Sequence, residues 1–140
     1  MSSTAALYTS EVLELATSLA HFPLGDDLTL RGAARSATCG STIELGLICA
    51  KDGSIERLGL RAHACAIGQA AAALFAQHAA GRDEPALSAA AAQIEAWLNG
   101  GALPAWPGFA AIAAARDYPA RHGALLLAWR AALVAGSVPR

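Results

Sequence analysis

The chain has 140 residues and a formal net charge of −1, with 55% of its residues hydrophobic and 15% charged. Alanine accounts for 37 positions, and its side chain favours helix while adding little burial. Without it, roughly 29% of the chain is larger apolar residues, an ordinary globular value. The longest uninterrupted run of large apolar residues lies within 125–129 and falls far short of the roughly 20 needed to span a bilayer. The first twenty residues have no basic start and carry Glu11 and Glu14 in their apolar part, unlike a secretory signal. A cytoplasmic protein with no membrane partner is the expectation. The nine arginines are scattered and form no basic stripe for a phosphate backbone, which argues against nucleic acid. Length implies one domain over residues 1–140, able to bury about two-thirds of its unfolded surface without metal or disulfides. Three cysteines without an export signal point to thiol or metal chemistry rather than a disulfide framework.

In chain order, Thr9 or Ser10 can cap a helix running through Val12, Leu13, Leu15, Ala16, Leu19 and Ala20, ended by His21, Phe22 and Pro23. Residues 28–36 read as a first strand, weakened by Gly32 and two alanines. Residues 42–50 and 55–62 form a hairpin about the Lys51-Asp52-Gly53-Ser54 turn. Strand parity puts Ile43, Leu45, Leu47 and Cys49 on one apolar face, and Leu58, Leu60 and Ala62 on one face of the next strand. Ile55 is out of phase, which predicts a bulge or an early strand end.

Helices follow over residues 65–80, closed by Gly81, and 84–98, stopped by Asn99-Gly100-Gly101. Residues 104–108 read as a loop, 109–118 as a short helix ended by Pro119, and 121–135 as a final helix with Leu125, Leu126, Trp129 and Leu133 at helical spacing. The pattern predicts an α+β fold: a small three-stranded antiparallel sheet, an N-terminal helix, and a C-terminal set of helices packed on one face.

The cysteines differ in kind. Cys49, on the apolar strand face, reads as a buried small hydrophobe. Cys39 lies in the small-residue loop Ser36-Ala37-Thr38-Cys39-Gly40-Ser41 before the hairpin. Cys65 follows His63 and Ala64 at a strand-to-helix junction, where free backbone N–H groups and the helix dipole favour an anion. Antiparallel pairing brings the start of the hairpin's first strand and the end of its second to one edge, so Cys39 and Cys65 can share a site. A nucleophilic Cys65–His63 pair lacks mutual geometry if the segment is extended, and no phosphate loop, paired catalytic carboxylates or His-Glu-x-x-His run is present. Trp97, Trp106 and Trp129 read as packing residues.

Taken with others, these residues resemble the iron-sulfur cluster assembly scaffold family of the NifU N-terminal, IscU and SufU type. Members show a tyrosine in an early helix, an Asn-Pro-x-Cys-Gly-Asp loop, a Gly-Cys-Ala-Ile-Ser-x-Ala-Ser run opening a long helix, and a late Arg-x-x-Cys-Ala-x-Leu-Ala-Trp segment. The chain has Tyr8 in its expected first helix, Cys39-Gly40-Ser41, Cys65-Ala66-Ile67-Gly68-Gln69-Ala70, and Arg121 with Leu127-Ala128-Trp129, in the same order over almost its whole length. The long interval after Cys65 is more like the SufU branch.

The resemblance implies transfer and transient assembly of sulfur or clusters rather than turnover of a small substrate. Cys39 and Cys65 would receive sulfur from a cysteine desulfurase or form part of a site for a transient iron-sulfur cluster or zinc. The other expected partners are iron-sulfur assembly proteins. The family's aspartate ligand is Ser41 here and its third cysteine is Ala124, while Ser36-Ala37, Ala64, Gly68 and Ala71 replace the Asn-Pro pair, a glycine and two serines. Two thiolates from one chain complete neither a four-coordinate zinc nor a four-ligand cluster. His122 and, less so, His63 are candidate replacements, as is a second subunit. The alternatives are a metal-free interaction or regulatory module that keeps the scaffold fold, and a zinc protein whose site His122 completes.

Overall fold

The computed structural model describes residues 7–37 and 40–136. α1 spans Ser10–Ser18, capped by the Thr9 hydroxyl, which accepts the Val12 N–H at 3.1 Å, with Glu11 in its positively polarised first turn. Tyr8, expected inside this helix, precedes it: with Thr9 as the cap, everything before it lies outside. A 3-10 turn, Leu19–His21, then releases the chain at Phe22 and Pro23.

The sheet has antiparallel order β1-β2-β3, with β1 Leu30–Arg35, β2 Thr42–Cys49 and β3 Ile55–His63. β1 is shorter than residues 28–36, because Leu28 is buried ahead of it and Ser36 turns into the loop, its N–H donating to the Ser41 carbonyl at 2.8 Å. Gly53, at φ 89°, makes the β2–β3 turn, and the Asp52 carboxylate accepts the Ser54 N–H and hydroxyl at 2.9 and 2.6 Å. The register shifts between Ile48 and Cys49, so that Ile55 sits opposite Cys49. This is the bulge that the phase of Ile55 predicts. It also corrects the reading of Cys49: Ile43, Leu45 and Leu47 are buried, but beyond the shift Cys49 is only half-buried at the margin of the core.

The two faces of the sheet are covered differently. On one, Leu30, Leu47 and Leu58 form a cross-strand row, as do Gly32, Leu45 and Leu60. The last helix lies on this face so closely that a methyl on Gly32 would overlap the Ala131 carbonyl oxygen and come within 2.7 Å of the Ala135 nitrogen. On the opposite face Gly46 pairs with Gly59, and residues 22–28 cross beneath them as a strap. The strap begins at the outer edge of β3, where the Leu60 N–H donates to the Phe22 carbonyl at 2.9 Å. A methyl on Gly59 would meet the Pro23 carbonyl, and one on Gly46 would lie 2.7 Å from Leu28 Cβ. Arg31 holds the far end, donating to the Leu28 and Gly25 carbonyls at 2.7 and 2.6 Å, while Asp27 pairs with Arg57.

α2 is Ala66–His78 and α3 is Glu84–Leu98, the latter capped by Asp83, which accepts the Ala86 N–H at 3.1 Å, with Pro85 in its first turn. The helix expected over 109–118 is a 3-10 run, Phe109–Asp117, kinked at Ile112. The single helix expected over 121–135 is divided into a 3-10 turn, Pro119–Arg121, then α4, His122–Leu125, and α5, Leu127–Gly136. One regular helix face hides a single stripe, but here all six residues 124–129 are buried. The break at Leu126 lets α4 pack on α2 while α5 packs on the sheet.

Between these layers lies an aromatic cluster. Phe75 stacks on Trp106 at 5.7 Å, and Trp129 meets Phe75 and Trp106 edge-on at 5.3 and 5.2 Å. Trp106 Nε1 donates to the Leu74 carbonyl at 2.8 Å, and the Arg82 guanidinium sits 4.0 Å above its ring. Trp97 closes on Phe109 at 5.7 Å. All three tryptophans are core residues. Among the described residues no helix is long and apolar enough to cross a membrane.

Candidate functional site

The central strand sets the position of the site. Thr42 at the start of β2 pairs with Arg35 on one side and with His63 on the other. Loop 36–41 and the chain entering α2 therefore leave the sheet at the same end, as antiparallel pairing requires. Cys39 lies outside the described residues; both ends of its loop are described. Ser36 and Ser41 are buried, the Gly40 N–H donates to the Ser36 carbonyl at 3.0 Å, and Gly40 has φ 70°, a conformation open to glycine. Ser41, at the family's aspartate position, is thus part of the closed base of the loop.

Cys65 is the N-cap residue of α2, with extended φ −64° and ψ 168°. Its carbonyl accepts the Gln69 N–H at 2.9 Å, whereas its side chain makes no capping hydrogen bond. The thiol is half-buried at the edge of the core. One turn into the helix, Gly68 leaves room for α4: a methyl on it would lie 2.9 Å from Ala64 Cβ and 3.1 Å from Ala124 Cβ. Ala124 is 2% exposed. The position aligned with the third cysteine therefore faces the first turn of α2, and small residues close the contact.

Tyr8 and Arg121, noted separately in the sequence, meet: Arg121 Nη2 donates to the Tyr8 hydroxyl at 3.1 Å. Nothing in the local pattern signals a bond across that separation. His122 has its Nε2 2.7 Å from the Arg116 carbonyl oxygen and lines a surface hollow with Glu95, Leu98, Asn99 and Arg130. His63 is exposed at the end of β3. Among the described residues there is no group of three His, Cys, Asp or Glu side chains placed to hold a metal. The described donors do not complete a closed tetrahedral site.

No family model matches the sequence, and no curated protein matches it. Solved structures do. A NifU-like protein (N-terminal) from Brucella abortus superposes with a TM-score of 0.80 at 28% identity, over 91% of this chain and 90% of that one. A protein from the thermophile Fervidobacterium islandicum AW-1, assigned to the SUF system as an iron-sulfur cluster assembly scaffold, superposes with a TM-score of 0.83 at 16% identity, over 96% and 100%. A third, described only as a hypothetical protein, gives 0.80 at 23% identity over 95% and 98%. The molecule is structurally similar to NifU-like N-terminal and SufU iron-sulfur scaffold proteins, and these neighbours support the scaffold family that the motifs around Tyr8, Cys39, Cys65 and Trp129 resemble.

Proposed function

We propose that this protein is a scaffold-like or sulfur-acceptor protein of iron-sulfur cluster assembly with a degenerate cluster site, in which Cys39 and Cys65 carry the chemistry and a cysteine desulfurase is the donor. The observation that carries this reading is the placement of Cys65: a half-buried thiol at the N-cap of α2, unused in capping, at the end of the sheet from which the Cys39 loop also emerges. The Cys65 thiolate attacks the outer sulfur of a persulfide on the donor. The donor's S–S bond breaks, its cysteine leaves as thiolate, and the sulfur remains on Cys65 as a new persulfide, with no outside oxidant or reductant. Iron and sulfide would then be cargo, and ligands beyond the two thiolates would come from the partner or a second copy. A cytoplasmic setting fits free thiols.

The test is iron, zinc and acid-labile sulfide analysis of anaerobically purified protein, with persulfide detection by intact mass after incubation with a desulfurase and cysteine. Metal or transferred sulfur that disappears in Cys65→Ser supports the reading; protein that holds no metal and accepts no sulfur overturns it. One observation favours a second reading, a metal-free interaction module on the same fold: Ala124 closes the third-ligand position tightly against Gly68. Metal-free protein that still binds a desulfurase supports that reading. For zinc completed by His122 the described residues offer no such observation: its ring lines a hollow with Glu95, Leu98, Asn99 and Arg130, and no group of three candidate ligands gathers among them.

A further inference from the structure

The outer edge of β1 is the clearest unfilled recognition surface among the described residues. Backbone groups along an antiparallel strand point alternately to either side. The Leu60 N–H points away from β2, to Phe22, so its partner Leu45 bonds toward β1 and Gly32 bonds inward. The N–H and C=O groups of Arg31, Ala33 and Arg35 then point outward, and no described residue supplies them a partner. All three residues are exposed. Beside them lies an open cleft of about 580 Å³ lined by Arg31, Gly32, Ala33, Glu44, Leu45 and the 49% exposed Val134.

Charge selects the occupant. Arg31 and Arg35 share one face of β1, flanking Ala33, and Arg31 is held in place by the Leu28 and Gly25 carbonyls. Glu44, the acid opposite Ala33, is paired with Arg61 at 3.6 Å. A second copy added antiparallel at this edge would set Arg31 against Arg35 at both ends, and like charges across strands are destabilising. A strand with carboxylates four residues apart would instead place one opposite each arginine.

We propose that the outer edge of β1 docks an acidic, extended segment of a partner protein, which adds to the sheet as a fourth strand with carboxylates opposite Arg31 and Arg35. Main-chain bonds supply affinity and the arginine pair supplies specificity. Because Arg35 directly precedes loop 36–41, a segment seated here runs alongside the chain that leads to Cys39.

The probe is a fluorescein-labelled peptide, Val-Glu-Val-Thr-Val-Glu, with Val-Lys-Val-Thr-Val-Lys as control, read by anisotropy and by amide hydrogen exchange. The acidic peptide binds, the lysine peptide does not, and the amides of Arg31, Ala33 and Arg35 become protected. Ala33→Pro removes one outward N–H without costing a ladder bond, since proline is tolerated at an edge, and Arg35→Glu reverses one charge. Each weakens binding about tenfold or more, with circular dichroism showing the fold retained. No binding of the acidic peptide, binding without protection of those amides, or affinity unchanged in both variants overturns the proposal. So does concentration-dependent protection of the same amides without peptide, which would identify a second copy as the occupant.

Discussion

The aromatic layer and the thiol end of this molecule are built from opposite materials. Around Trp129, large rings meet at 5.2 to 5.8 Å, and Trp106 is tied to both Leu74 and Arg82. Around Cys65, the contacts are Ala64, Gly68 and Ala124, with Ser36 and Ser41 at the base of the neighbouring loop. A buried aromatic ring removes far more apolar area from water than an alanine or serine side chain, so the first region contributes more of the stabilisation. The thiol end can therefore change its side chains without losing the fold. The fold likeness over more than nine-tenths of the chain, alongside Ser41 and Ala124 where the resembled motifs carry an aspartate and a cysteine, is what such a division of labour produces.

The largest expected effect breaks the aromatic layer: Trp129→Ala leaves a cavity in its centre and lowers unfolding free energy by about 3–5 kcal/mol, read by urea denaturation. Tyr8→Phe removes only the hydrogen bond from Arg121 and costs about 1 kcal/mol by the same measurement. Ala124→Cys adds a thiol facing the start of α2 in a buried, closely packed contact, costs about 1 kcal/mol at the low end of overpacking, and raises retained iron or zinc after anaerobic purification. A large loss of stability there would show that the thiol end is as structural as the aromatic layer.

The smallest effect is at the surface, in Asp27→Asn. The hydrogen bond from Arg57, reinforced by its charge, holds the Asp27 carboxyl below its ordinary value. A carboxyl lowered in the folded state contributes stability above the unfolded value and loses it as pH falls through the folded one. The variant should therefore differ most from the parent near neutral pH and converge with it in acid, as seen in melting curves across that range.

Much of this was legible in the sequence where local chemistry decides the outcome. α3 runs over the residues expected for it, 84–98, because Asn99-Gly100-Gly101 marks its end. The bulge follows from the phase of Ile55. The junction at Cys65 follows from a strand running into an alanine-rich helix. What escaped depends on distant partners. The break at Leu126 arises because α4 and α5 face different neighbours, the partial exposure of Cys49 because the register shift falls just before it, and the bond from Arg121 to Tyr8 because the residue ahead of α1 meets the turn ahead of α4. Periodicity shows that a sheet face is apolar, not that α5 covers it or that glycines on the other face admit a strap.

That strap has a consequence for the order in which the protein assembles during synthesis. Residues 22–28 are made before any strand, yet their seat is the Gly46–Gly59 pair and their first anchor is the Leu60 N–H. The early segment must wait until the third strand has been made and paired. Until then α1 and the leading end of β1 have no fixed path across the sheet. The strap therefore seats only after the β2–β3 hairpin has formed, once the loop between Phe22 and Leu60 is closed. A nascent chain truncated before residue 60 would lack both the strap's anchor and α2, on which α1 packs, and would leave α1 undocked and exposed to protease.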